Sequence, residues 1–108
     1  MPRFLYIVNY GSEGARALMK AGGSARKAGL EKTLSGIGGR LESFDFAFGG
    51  DDAYTIIDVP DAETAAAVAL TVNSSGTVTV RTVALLTPEQ IDRAAQVQID
   101  YAPPGQNA

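Results

Sequence analysis

The order of segments along the chain predicts an α+β fold, a ferredoxin-like split βαββαβ with a four-stranded antiparallel sheet, helices on one face and a short C-terminal helix. Three observations carry this reading. Arg40 to Val59, RLESFDFAFGGDDAYTIIDV, consists of two runs rich in aromatic and β-branched residues hinged on Gly49-Gly50-Asp51-Asp52, the pattern of a β-hairpin. A helical pattern lies on each side of that hairpin. A further strand-like run stands at each outer end.

Taken in order, Arg3 to Asn9 is the first strand, broken by Gly11-Ser12. Ser12 is placed to cap the helix that follows, with Glu13 at its positive end. Ala15, Leu18 and Met19 recur at helical spacing until Gly22-Gly23, where a break is expected, with Ser24 capping a second segment. There Leu30, Leu34 and Ile37 form the apolar stripe, Arg26, Lys27, Glu31 and Lys32 the solvated face, and Gly38-Gly39 the stop. Beyond the hairpin, Pro60 ends the third strand and Asp61 caps a helix of mostly small residues, Ala65, Ala66, Val68, Ala69 and Val72, suited to close packing on a sheet. Asn73 to Gly76 is a turn, and Thr77 to Leu86 alternates Val and Thr as a half-buried strand does. Thr87-Pro88-Glu89-Gln90 carries a capping box with Pro at the first helical position. Residues 1–100 are expected to form one domain and residues 101–108, with Pro103-Pro104-Gly105, a flexible tail.

Composition narrows the chemistry. With 108 residues, 45% of them hydrophobic and 19% charged, the chain has material for a single core. A net charge of −3, with no Lys/Arg cluster among aromatics, argues against nucleic acid as a partner. The absence of cysteine removes disulfides, thiolate nucleophiles and thiolate metal sites. The absence of histidine removes the usual general base and the usual zinc ligand. No apolar run approaches the roughly 20 residues of a membrane span, and Phe4 to Val8 is too short for a secretory core, so a cytoplasmic protein is expected.

Several stretches together resemble one family: Ser12-Glu13-Gly14 leading the first helix, Gly38-Gly39-Arg40 entering the second strand, the hairpin itself, Pro60-Asp61-Ala62-Glu63-Thr64-Ala65, and Leu86-Thr87-Pro88-Glu89. Read whole, from about Phe4 to Gln90, the chain resembles the GYD domain family. The family's naming motif is a glycine, then a tyrosine and an aspartate, at the hairpin; here Gly49-Gly50-Asp51-Asp52 stands there, with Asp51 at the place of the tyrosine. The resemblance implies a fold close to the dimeric α/β-barrel group and a homo-oligomer, rather than a reaction.

Gly49-Gly50-Asp51-Asp52 has two carboxylates of the kind a hard cation takes, but turn chemistry accounts for every residue, and no metal site is assigned. Gly36-Ile37-Gly38-Gly39 follows a helix rather than a strand, so it is a helix stop and not a phosphate loop. Asn73-Ser74-Ser75 fits the glycosylation pattern and is read as a turn. The polar residues embedded in strands are Tyr6, Asn9, Asp45, Tyr54, Asp58 and Arg81. Tyr54, Ile56 and Asp58 share one side of their strand, Thr55 and Ile57 the other. A split βαβ domain covers one sheet face with helices, and Tyr6, Val8, Phe46, Tyr54 and Ile56 are expected on the uncovered face.

That face is expected to contact a second copy, making a homodimer or higher homo-oligomer. Tyr6, Phe46, Tyr54 and Asp58 are the ligand-binding candidates if a small molecule lies between facing sheets. Asp58 and Asp52 are the carboxylates available as proton carriers, though no catalytic constellation and no cofactor signature accompanies them. The expectation is a small cytoplasmic binding or accessory module. A cofactor-independent isomerase or oxygenase of the α/β-barrel type and a purely structural interaction module stay open beside it.

Overall fold

The computed structural model describes residues 1–105. Its elements run β1 (Arg3–Tyr10), α1 (Ser12–Ala21), α2 (Gly23–Ser35), β2 (Arg40–Phe46), β3 (Ala53–Asp58), α3 (Ala62–Ser74), β4 (Val78–Leu85) and α4 (Pro88–Ala94). The sheet has the order β2-β3-β1-β4 with every neighbour antiparallel, which is the ferredoxin-like split βαββαβ. Residues 106–108, the end of the expected tail, lie outside the described residues; Tyr101–Gly105 form neither helix nor strand.

Alternation along the strands sends Phe4, Tyr6 and Val8 of β1 and Ala53, Thr55 and Ile57 of β3 toward the helices. There they meet Leu30 and Leu34 of α2 and Ala65 and Val68 of α3, the centre of the hydrophobic core. The face expected for Tyr6, Val8 and Phe46 is therefore corrected. The β1 run FLYIV is apolar on both sides, so composition could not decide its register. Tyr54 and Ile56 do lie on the uncovered face, where their β1 partners across the ladder are Ile7 and Leu5.

The helix between the first two strands breaks at Gly22, as the paired glycines predict, but neither expected serine cap forms. Gly11 occupies the first N-cap, pinned by its amide to the Thr77 carbonyl at 2.9 Å, and Ser12 already lies inside the helix. Gly22, at φ +89°, closes α1 and opens α2, which leaves Ser24 within the second segment. Close approach explains Gly14: a Cβ there would stand 2.4 Å from the Thr77 carbonyl oxygen, so only glycine lets α1 lie against the start of β4.

Other local signals translate directly. Asp61 accepts the Thr64 amide at 2.8 Å, and Thr87 with Gln90 forms the full capping box. At the end of α3, Asn73 accepts the Val80 amide at 2.8 Å and donates to the Val80 carbonyl at 3.3 Å. One helix-end side chain thus satisfies both outward backbone groups of an edge-strand residue.

Candidate functional site

The uncovered sheet face is built from alternate residues of all four strands. Leu5 and Ile7 of β1, Tyr54 and Ile56 of β3 and Val83 of β4 make an apolar stripe across its middle. Each end is polar, and at each end the arginines are paired within the chain, while Asp45 of β2 meets water.

At one end, Arg3 grips Glu42 through two bonds, Nε to Oε2 at 2.7 Å and Nη2 to Oε1 at 3.2 Å. The β2–β3 ladder is irregular between Leu41 and Ser43, and Glu42 sits in that bulge. The guanidinium holds the Glu42 carboxyl below its usual range. Beside it Asp58, 5% exposed, is ion-paired with Arg40. Asp58 is thus a buried structural carboxylate with a partner, placed by the direct pairing of Arg40 with Asp58 across the ladder.

At the other end the hairpin turn folds Asp51 over the sheet. Its carboxylate accepts Asn9 Nδ2 at 2.9 Å, the Tyr54 hydroxyl at 3.2 Å and Arg81 Nη2 at 3.4 Å. The Asn9 hydrogen bond, then those from Tyr54 and Arg81, keep Asp51 ionised below the ordinary aspartate range. Partial burial and the neighbouring Asp51 push the Tyr54 phenol up. Asp52, next in the chain, turns the opposite way and accepts the Tyr10 amide at 2.9 Å. The two hairpin carboxylates do separate structural tasks. Among the described residues, no group of three or more His, Cys, Asp or Glu side chains is placed to hold a metal ion.

The four ligand-binding candidates do not converge. Tyr6 is 2% exposed on the helix side, where its hydroxyl donates to the Ala65 carbonyl, and burial pushes its pKa to about 12. Phe46 also faces the helices, with its ring 6.5 Å from Tyr10 and 5.0 Å from Phe44. Tyr54 and Asp58 share the open face but stand four residues apart, about 13 Å along the strand. Of the two proton-carrier candidates, Asp58 faces the open side and Asp52 binds the β1 backbone.

Two clefts flank α1 on the helix side. One cleft of about 510 Å³ runs between α1 and α3, lined by Tyr10, Gly14, Leu18, Thr71, Val72 and Val78. A second, of about 430 Å³, lies between α1 and the hairpin, lined by Tyr10, Leu18, Met19, Phe46, Phe48 and Asp52. Gly23 brings the start of α2 against the Phe46 ring, where a Cβ would stand 2.8 Å from a ring carbon. Sequence reasoning missed both clefts and the Arg3–Glu42 and Arg40–Asp58 pairs. Only a strand register could have shown the pairs, because their members are 39 and 18 positions apart.

No helix among the described residues is long and apolar enough to cross a membrane. A family model, that of the GYD domain, matches residues 4–95. No curated protein and no solved structure matches the chain.

Proposed function

The chain belongs to the GYD domain family, and from that premise we propose that it is a cytoplasmic homo-oligomeric binding or accessory module whose uncovered sheet face makes the subunit contact. The observation that carries the reading is the stripe of Leu5, Ile7, Tyr54, Ile56 and Val83, left bare by the helices of its own chain. A contiguous apolar patch of this kind on a small domain marks a contact surface. The arginines at its polar ends are neutralised within the chain and the unpaired Asp45 sits on the outer strand, so two copies can meet about a two-fold axis without setting arginines against each other. Light scattering after size exclusion tests the reading. The wild type is expected to run as an oligomer at micromolar concentration and Ile56→Asp as a folded monomer; a monomeric wild type would end it.

A second reading keeps a small molecule as partner, at the cleft beside α1 rather than between facing sheets. The supporting observation is that Phe46, Phe48, Tyr10, Leu18 and Met19 surround about 430 Å³ with the Asp52 carboxylate at the wall. Mostly apolar concavities of roughly 300–1,000 Å³ with a few polar groups are the usual form of a ligand site. Thermal-shift screening of small aromatic amines against wild type and Phe46→Ala tests this. Stabilisation lost in the variant supports it, and a flat response in both proteins removes it.

A further inference from the structure

Beyond Leu85 the chain packs only loosely on the rest of the domain. Leu86, Ile91, Val97, Ile99 and Tyr101 are 52–76% exposed, and no residue of α4 is buried. The Cα radius of gyration is 17.5 Å and the longest dimension 59 Å, where a compact chain of this size has a radius near 13 Å. The protruding part has a pattern of its own. Val97-Gln98-Ile99-Asp100-Tyr101 alternates apolar and polar residues strictly and is stopped by Pro103-Pro104, the signature of a short half-buried strand. In the protomer its first amide, that of Val97, closes the turn after α4 on the Ala94 carbonyl at 3.0 Å, and Gln98–Tyr101 form no strand.

One sheet edge lacks a matching cover. Along β4, the outward backbone groups of Val80 are taken by Asn73. In the second half of the strand Thr82, Val83 and Ala84 are exposed on both faces, beyond the shelter of α3. The outward amides and carbonyls there belong to Thr82 and Ala84, two and four residues on from Val80. The other edge strand is protected: β2 is bulged, and its open-face positions, Arg40, Glu42, Ser43 and Asp45, are polar or charged. Val83 and Leu85, by contrast, offer an apolar open face for Val97, Ile99 and Tyr101 to extend.

We propose that Val97–Tyr101 of one copy adds as a fifth strand to the β4 edge of a second copy, beside Thr82–Leu85. This rests on the homo-oligomer reading and names a contact within it. The arm then lies at the rim of the open face, continuing its apolar stripe by one strand. Val97, Ile99 and Tyr101 add their exposed apolar surface to that of the stripe, so the arm enlarges the face contact rather than standing as an interface of its own. Main-chain bonds supply register and the alternate apolar side chains supply affinity, the usual division in strand addition.

The chain has no cysteine, so engineered thiols report cleanly. Single variants Ala84→Cys and Thr82→Cys are mixed, pairwise, with Gln98→Cys and Asp100→Cys and oxidised. Crosslinked heterodimers from 84 with 98 and 82 with 100 are expected for antiparallel addition, and the reverse pairing for parallel addition; either supports the proposal. Ile99→Asp in the full chain is expected to weaken self-association at least tenfold with an unchanged circular dichroism spectrum. The idea is overturned if no mixed pair crosslinks while the variants assemble as wild type, or if Ala84→Cys/Gln98→Cys closes within one chain. Ile56→Asp separates the two readings. If it still yields monomers when crosslinks fail, the face contact stands and the arm contact falls.

Discussion

Replacing Tyr6 by Phe removes one hydroxyl from the core and tests whether that hydroxyl holds the fold or serves a ligand. In the wild type it donates to the Ala65 carbonyl from a position 2% exposed. Ala65 is a helix residue whose carbonyl has an intrahelical donor available, so its loss of Tyr6 is mild, and the substitution should cost about 1 kcal/mol at neutral pH. Alkali reverses the order. Burial raises the Tyr6 pKa to about 12, against about 10 in an unfolded chain. Between those values the folded protein keeps a proton that the unfolded chain has released, so this stabilisation is complete below about pH 10 and is lost as pH rises toward 12. By about pH 11 the loss is roughly 1.4 kcal/mol, enough to cancel the advantage of the hydroxyl. Urea denaturation of both proteins from neutral pH to about pH 11 measures this directly. The two proteins differ in this one hydroxyl, so the difference between the two curves isolates Tyr6. A wild-type advantage that stays constant across the range would refute the assignment of this group to the core.

Three further outcomes are expected. The Thr55 hydroxyl is buried without a hydrogen-bond partner beside a cavity of about 20 Å³, so Thr55→Val should raise stability by about 1 kcal/mol in chemical denaturation; a lower midpoint would show that the hydroxyl is bonded in solution. Gly14→Ala forces a Cβ onto the Thr77 carbonyl and should cost about 1–3 kcal/mol, whereas Gly29→Ala, in a helix interior with open space around it, should gain about 0.5–1 kcal/mol; equal melting shifts would contradict the packing of α1. Asp51 is held ionised by Asn9, Tyr54 and Arg81, so its contribution is present above the ordinary aspartate range and lost as pH falls through its lowered folded value; Asp51→Asn should flatten the acid limb of a melting-temperature profile.

The hairpin, the helix break and two of the caps were legible because each is a local event. Gly49 to Asp52, Gly22-Gly23, Asp61 and Thr87 act over three or four residues, and nothing distant competes with them. Ser12 and Ser24 lost their caps to glycines one and two positions earlier, because Gly11 is tied to Thr77 at the start of the neighbouring strand and Gly22 bends with a positive φ. Face assignment succeeded for β3, where Tyr54, Ile56 and Asp58 contrast with Thr55 and Ile57. It failed for β1, where both faces are apolar and an aromatic looks equally at home on either. The candidate site suffered from that failure. Tyr6 and Tyr54 belong to opposite sides of one sheet, and Asp58 found a partner, Arg40, that only strand pairing reveals.

The same pairing fixes how assembly should respond to salt. On the open face Arg3, Arg40 and Arg81 are bound to Glu42, Asp58 and Asp51 of their own chain, while Asp45 lies on the outer strand in contact with water. Little charge is left for a second copy to attract. If the contact is the apolar stripe, ordinary salt screens interactions that lie within each protomer and leaves the contact between protomers nearly untouched. The dissociation constant should therefore change by less than about threefold between roughly 0.05 and 0.5 M sodium chloride, and sulfate should tighten assembly by strengthening apolar burial. Sedimentation equilibrium across that range reads both effects. Dissociation that grows steeply with chloride would mean that ion pairs cross the interface, which requires the Arg3–Glu42 or Arg81–Asp51 bonds to open on assembly. Variants Glu42→Gln and Asp51→Asn would then lose the chloride-driven dissociation, whereas with an apolar contact each leaves an arginine unpaired on the face and weakens assembly most at low salt.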